Sequence, residues 1–211
     1  APGLYAEAFG KEDSFAVTLS SSLSGSYASA MAGKEMAEEA GAHVHVFDSR
    51  SAAAAEVLIV LKLRKLIQEG LQKLEIIQRI ERFINEMRTF FVLDNIDNLL
   101  KNGRLNRITA TIISTLHIRP IMGADGDGNI SLFSHVQGWK QVVRKLADTI
   151  EADGRSTDGQ SLVITHCNNP TLAEELKAEI ERRYRFAEIL VLPTRGLSSL
   201  YANEKGVIMS F

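Results

Sequence analysis

The spacing of apolar residues changes period several times along the chain. Residues 3–10 read as a short helix. Phe15 to Leu19 is a short, largely apolar run of strand length. It leads straight into Ser20-Ser21-Ser22-Leu23-Ser24-Gly25-Ser26-Tyr27. An alanine-rich helix is predicted after that turn, over about 27–39, with Gly41 as its stop. Val44, Val46 and Phe47 mark a second strand, ending at Asp48-Ser49. A long helix to about Glu69 follows, stopped by Gly70, and another covers about 73–87. Strands alternating with helices at this spacing predict a parallel sheet covered by helices.

The texture changes near Arg88. A strand is predicted over 89–93, and a short helix over 94–101 with Asn102-Gly103 as its cap. The strand over 116–122 contains Pro120, which marks it as an edge. Asp125-Gly126-Asp127-Gly128 is a hairpin turn, and 129–133 returns. A helix over 137–150, a polar loop over 154–160 and a strand over 162–165 come next. Pro170-Thr171 opens a helix with a capping box from Thr171 to Glu174. Two further strands fall at 189–192 and 207–211. The expectation is a two-lobed α/β chain divided near residue 88. Residues 1–87 carry a parallel sheet with flanking helices, and residues 88–211 form a mixed α/β lobe. No internal repeat is visible.

Composition narrows the functional classes. With 211 residues, 45% of them hydrophobic, the chain can bury a core without staples. A formal net charge of -2 creates no field that favours nucleic acid or an anionic membrane. Cys167 is the single cysteine, so no internal disulfide can form, which fits a reducing cytoplasm. The richest apolar run, Ala52 to Leu61, is interrupted by Glu56 and followed by Lys62, Arg64 and Lys65. It reads as a buried helix rather than a membrane span. No basic segment followed by an apolar core marks a secretory leader.

The most informative segment is the serine-rich turn. A strand ends, small hydroxyl residues turn the chain, and a helix begins. Backbone N–H groups at such a helix start attract anions, and serine hydroxyls add donors. Gly25 is read as permitting close backbone approach. No Lys or Arg lies within the turn, so one carboxylate suits it better than a polyphosphate. Such a contact contributes about 0.3–1 kcal/mol, or up to ~2 when partly buried. Capping of the helix by the same serines is compatible with this, because cap and ligand can use different N–H groups.

These residues also carry a resemblance. Ser20 to Ala30 is similar to the pattern S-S-x-L-S-G-T/S-Y-x-S-A of the DegV family. Val46-Phe47-Asp48-Ser49 resembles its second-strand ending. Phe91-Val92-Leu93-Asp94, with Leu99-Leu100-Lys101-Asn102-Gly103-Arg104-Leu105, resembles F-x-V-D-x-L-x-x-L-x-x-G-G-R-I. Ile118-Arg119-Pro120-Ile121 resembles I-K-P-I. The pieces fall in the family's order over nearly the whole chain.

The resemblance implies two α/β lobes with a long-chain fatty acid in an apolar tunnel between them. It implies a carrier rather than an enzyme, with no cofactor and no metal, acting in the cytoplasm and presenting its acid to a fatty-acid kinase. Its carboxylate would be held by hydroxyls from this turn and from a T-S-x-P-S motif, which the resemblance places upstream of Ala1. Carried over by position, Ser21 is the first carboxylate ligand, with Ser20 and Ser24 behind it. Arg104 matches the arginine of G-R-I and would fix the head-group region or a lobe contact. Many members carry a histidine before a C-terminal Gly-Pro-Gly. Here the segment is Leu200 to Gly206 without histidine, and Tyr201 or Asn203 would substitute. The family's K-V-R-G reads His135-Val136-Gln137-Gly138, without its arginine.

Other chemistries find less support. Ser24, His166 and Asp48 supply the types for a serine hydrolase or transferase, the alternative reading, but the G-x-S-x-G elbow is absent. His43 and His45 share a strand face without a third metal ligand at telling spacing. Asp125 to Asn129 opens like a calcium loop, yet Ile130 and Val136 occupy the places that need Gly and Glu. Cys167 reads as a small core residue.

Overall fold

The computed structural model describes residues 1–11, 13–105 and 118–211. It divides into two compact units. The first comprises Ala1–Ala52, Ile59–Met87 and Gly126–Asn129; the second comprises Ala53–Leu58, Arg88–Asp125 and Ile130–Phe211.

In the first unit, α1 (Pro2–Phe9) begins with proline, whose fixed φ and missing N–H suit a first turn. Strands β1 (Asp13–Thr18) and β2 (His43–Asp48) pair in parallel, from Asp13 opposite His43 to Thr18 opposite Asp48. Between them runs α2 (Ser26–Glu39). Val44, Val46, Phe9, Ala30 and Ala37 are buried together, with Tyr5, Ala6 and Tyr27 packed against them. Gly33 of α2 lets α1 approach closely. An added Cβ at Gly33 would lie 2.5 Å from Tyr5 Cβ and 2.7 Å from the Pro2 carbonyl. Helix α3 (Ala54–Gln68) starts in the second unit and continues in the first. Helix α4 (Lys73–Glu86) buries Ile76, Ile80 and Ile84, one stripe at four-residue spacing. Its Lys73 pairs with Asp13 at 2.9 Å.

The second unit is built on a mixed six-stranded sheet. Its strands are β3 (Thr89–Val92), β4 (Ile118–Ala124), β5 (Ile130–Gln137), β6 (Ser161–His166), β7 (Glu188–Pro193) and β8 (Val207–Ser210). Their order is β5-β4-β3-β8-β6-β7, and only β6–β7 is a parallel pair. Helices α6 (Trp139–Asp153) and α7 (Pro170–Arg183) supply Val142, Leu146, Ile150, Leu172, Leu176 and Ile180 to its core. Facing them are Phe90, Val92, Ile121, Leu162, Ile164, Val207 and Met209. The helices are tied by Arg183, which meets Asp148 at 2.8 Å and Glu151 at 3.1 Å. Short α5 (Asp97–Lys101) and α8 (Gly196–Ala202) complete the described elements.

Several expectations need correction. Strand β4 is not an edge, because β5 and β3 flank it. Pro120 is tolerated because β3 pairs only with Met122 and Gly123, beyond it. Residues 116–117 of that expected strand lie outside the described residues. Gln137 closes β5 rather than opening a helix. The capping box at Thr171 does not form: Asn169 is the N-cap, Pro170 is the first helical residue, and no side chain caps the helix. Helix α8 was not anticipated.

Candidate functional site

The serine turn joins β1 to α2. Ser20 is fully buried and engaged on every side. Its N–H donates to the Ser51 carbonyl at 2.8 Å, and its own carbonyl accepts the Leu23 and Ser24 N–H groups, both at 3.0 Å. Its hydroxyl donates to the Gly128 carbonyl at 2.8 Å and accepts the Ser22 N–H at 3.2 Å. The Ser22 hydroxyl donates to the Asp127 carbonyl at 2.8 Å. Ser24 Oγ accepts the Ser26 N–H at 3.1 Å, which supports the first residue of α2. Ser26 in turn shares a 2.7 Å hydrogen bond with Tyr5.

Ser21 differs from its neighbours. Its N–H donates to Asp48 Oδ1 at 3.1 Å. Its side chain is exposed, and its hydroxyl makes no hydrogen bond among the described residues. The turn therefore presents one uncommitted hydroxyl on a backbone held at both flanks. Past Ser24, the first backbone bond of α2 is Ser29 N–H to the Gly25 carbonyl at 2.9 Å. The N–H groups of Tyr27 and Ala28 precede that bond and have no carbonyl within the helix to reach.

The turn is not free of charge, as its sequence alone suggested. Asp48 Oδ1 accepts the Arg50 N–H at 3.0 Å as well as that of Ser21. The Arg50 guanidinium donates to Asn85 at 2.8 Å. Arg50 holds φ at 49°, a left-handed value uncommon for a residue with a side chain, and Ala53 holds 53°. Ser49 and Ser51 brace this bend: Ser49 Oγ donates to the Ser51 carbonyl at 3.0 Å and accepts the Ser51 N–H at 3.2 Å. Just beyond, Ala53 N–H donates to Glu56 Oε2 at 3.0 Å. Burial holds the Glu56 carboxyl above its ordinary range despite that bond.

Sequence reasoning thus missed Ser22, Asp48, Arg50, Asp127 and Gly128 as neighbours of Ser21. Asp48 carried a signal, since it ends the strand parallel to the one that feeds the turn. The Asp125–Asn129 loop carried none, because more than 100 residues separate it from the serines.

The remaining sequence candidates lie in the second unit. Arg104 is exposed; its N–H donates to the Leu99 carbonyl at 2.8 Å and its guanidinium to the Asn102 carbonyl. Tyr201, on α8, is half-buried. Asn203 uses both ends of its amide. Its Nδ2 donates to the Asn95 carbonyl and its Oδ1 accepts from Asn98, both at 2.8 Å. Among the described residues, no group of three or more His, Cys, Asp or Glu could hold a metal. No described helix is long and apolar enough to cross a membrane.

Comparison with known proteins gives this geometry its context. A DegV domain-containing protein of Streptococcus gordonii is 34% identical over 213 residues, covering all of this chain and 75% of that protein. A DegV family crystal structure from Ruminococcus gnavus, with vaccenic acid, superposes with a TM-score of 0.93 at 37% identity. It covers all of this chain and 77% of the other. The Fatty Acid Kinase (Fak) B3 protein of Streptococcus pneumoniae, loaded with linoleic acid, gives 0.92 at 33% identity over all of this chain and 75% of that one. A DegV family protein of Eubacterium eligens, loaded with heptadecanoic acid, gives 0.92 at 30%, covering 100% and 76%. The family model described as "Uncharacterised protein, DegV family" matches residues 2–208. With its serine turn and two α/β units matched end to end, the chain belongs to the DegV family.

Proposed function

We propose that this chain binds a long-chain fatty acid, with the carboxylate at Ser21 and the hydrocarbon tail buried among apolar side chains. The observation that carries the reading is the uncommitted Ser21 hydroxyl on a turn whose Ser20 and Ser22 hydroxyls are engaged by the Gly128 and Asp127 carbonyls. The N–H groups at the start of α2 supply further donors. Ser20 and Ser24 then act mainly by shaping the turn, because the Ser20 proton is already taken by Gly128. The boundary between the two lobes is placed near residue 88. Relatives at 30–37% identity with vaccenic, heptadecanoic or linoleic acid support the ligand class.

The chain acts as a cytoplasmic carrier and presents its acid to a fatty-acid kinase. Likeness to the Fak B3 protein supports that partner. Arg104 and Tyr201 are assigned to the head-group region, and Asn203, whose amide is used on Asn95 and Asn98, supports the loop that it closes. The reading needs no cofactor.

Denaturing the purified protein and extracting it into organic solvent is expected to release a C14–C18 acid near one per chain. Ser21→Ala is expected to weaken added fatty acid by about tenfold, as for one hydrogen bond to a charged group, with the fold retained. Unchanged affinity removes Ser21 from the site. A chain that carries no lipid and gains no thermal stability from added acid refutes the reading.

A further inference from the structure

Ser21 is held in place from outside its own segment. Two carbonyls of the loop between β4 and β5, those of Asp127 and Gly128, accept the Ser22 and Ser20 hydroxyls at 2.8 Å each. The fit is close. A Cβ at Gly128 would collide with Ser20 Oγ and lie 2.9 Å from Arg50 Cα. Gly128 also holds φ at 80°, where side chains are strained. Glycine here therefore has a steric reason as well as a turn-forming one.

We infer that the Asp127–Gly128 backbone is the positioning element of the head-group site, acting through Ser22 and Ser20 on Ser21. The inference rests on the fatty-acid reading above. The peptide groups on both sides of Ser21 are fixed: Ser20 by the Ser51 and Gly128 carbonyls, Ser22 by Ser20 Oγ and the Asp127 carbonyl. The Ser21 N–H itself is fixed by Asp48. What remains free is rotation of one side chain about χ1. A donor held this way loses little entropy when it meets a carboxylate, so it favours a ligand that needs that donor in one place. Ser22 touches no ligand in this scheme; it is a positioning residue. Its hydroxyl lies on an exposed residue, so its removal leaves the cores of both units intact.

The test compares two ligands of equal chain length on the full chain. Hexadecanoic acid presents a carboxylate; 1-hexadecanol presents none. Affinities for both are measured by titration calorimetry for the wild type, Ser22→Ala and Ser22→Thr, alongside thermal midpoints. Ser22→Ala is expected to weaken the acid about five- to tenfold and leave the alcohol within about twofold. Ser22→Thr, which keeps the hydroxyl, is expected to restore acid binding. A purely structural role would lower both affinities together or move only the midpoint, and either result overturns the inference. So does a Ser22→Thr variant that fails to recover acid binding. A wild type that binds neither ligand instead overturns the fatty-acid reading, and this inference falls with it.

Discussion

Asn203 offers the sharpest test of the second unit. It closes α8 with φ at 53° and ψ at 177°, a backbone conformation that strains any side chain and suits glycine. Its amide spans two neighbours, donating to the Asn95 carbonyl and accepting from Asn98, and Asn98 also donates to the Leu200 carbonyl at 2.7 Å. Helices α5 and α8 are thereby clamped through one side chain. Asn203→Ala removes two hydrogen bonds, about 0.5–1.5 kcal/mol each. Alanine keeps the same strained backbone, so no conformational penalty is added to the lost bonds. The expected loss is about 1–3 kcal/mol. Asn203→Gly removes the same bonds but relieves the backbone, so it should lose about 1–3 kcal/mol less. Urea unfolding followed by the fluorescence of Trp139, the single tryptophan and a residue packed on the second unit's core, reads the difference. If Asn203→Ala equals the wild type, the amide bonds contribute nothing. If Asn203→Gly is no better than Asn203→Ala, the backbone argument is wrong. An Asn203 that mainly gripped a ligand would instead lose affinity with an unchanged unfolding curve.

Two further outcomes follow from the first unit. Gly33→Ala should destabilise by about 1–3 kcal/mol, because its Cβ meets Tyr5 and the Pro2 carbonyl at distances that force α1 to move; a urea midpoint matching the wild type would refute this. Burial of His45, opposed by Glu81, holds its imidazole below the ordinary value of 6.5, so the unfolded chain takes up the proton first. Its contribution is therefore intact above pH 6.5 and lost as pH falls from there toward the lower folded value. His45→Gln should flatten that stretch of the stability–pH curve, and an unchanged slope would exclude His45 as its source. His166, also lowered by burial, acts in the same direction and remains in the variant.

How far the fold could be read depended on the range of each interaction. The order of strands and long helices was legible because apolar spacing is a local signal: Ile76, Ile80 and Ile84 announce α4 unaided. Helix α8 was not, since it has seven residues and exposes Leu197 and Leu200, so no buried stripe marks it. The capping box failed through competition. Asn169 sits two residues ahead of Thr171, which opens the mimicked box, and its side chain is used on the Lys205 carbonyl at 2.9 Å. Pro120 was read correctly as a residue that cannot donate, but the sheet solves this by stopping β3 short rather than by leaving β4 at the rim. The serine turn was the most legible part of the candidate site, and its supports were the least. Asp127 and Gly128 contribute through backbone carbonyls, which leave no trace in residue type, and Arg50 arrives through a bend after the second strand.

The division of labour within the proposed ligand explains why such supports matter. A tail of ~14 methylenes at ~0.8 kcal/mol each contributes roughly 11 kcal/mol before ordering costs. One hydroxyl donor contributes about 1.5–3 kcal/mol to a charged partner. Hydrocarbon therefore supplies most of the attraction, and any amphiphile of the right length shares it. Discrimination in favour of an acid falls to the smaller polar contribution, which works only if the donor stands where the carboxylate arrives. The nearby Asp48 would repel that carboxylate, but it already accepts two N–H groups, from Ser21 and Arg50, which offset its charge. A guanidinium at Ser21 would grip harder through paired charge-assisted bonds and would cover both carboxylate oxygens. In the proposed reading, one hydroxyl on a rigid turn would orient the acid without covering it, which suits a protein that hands its acid on.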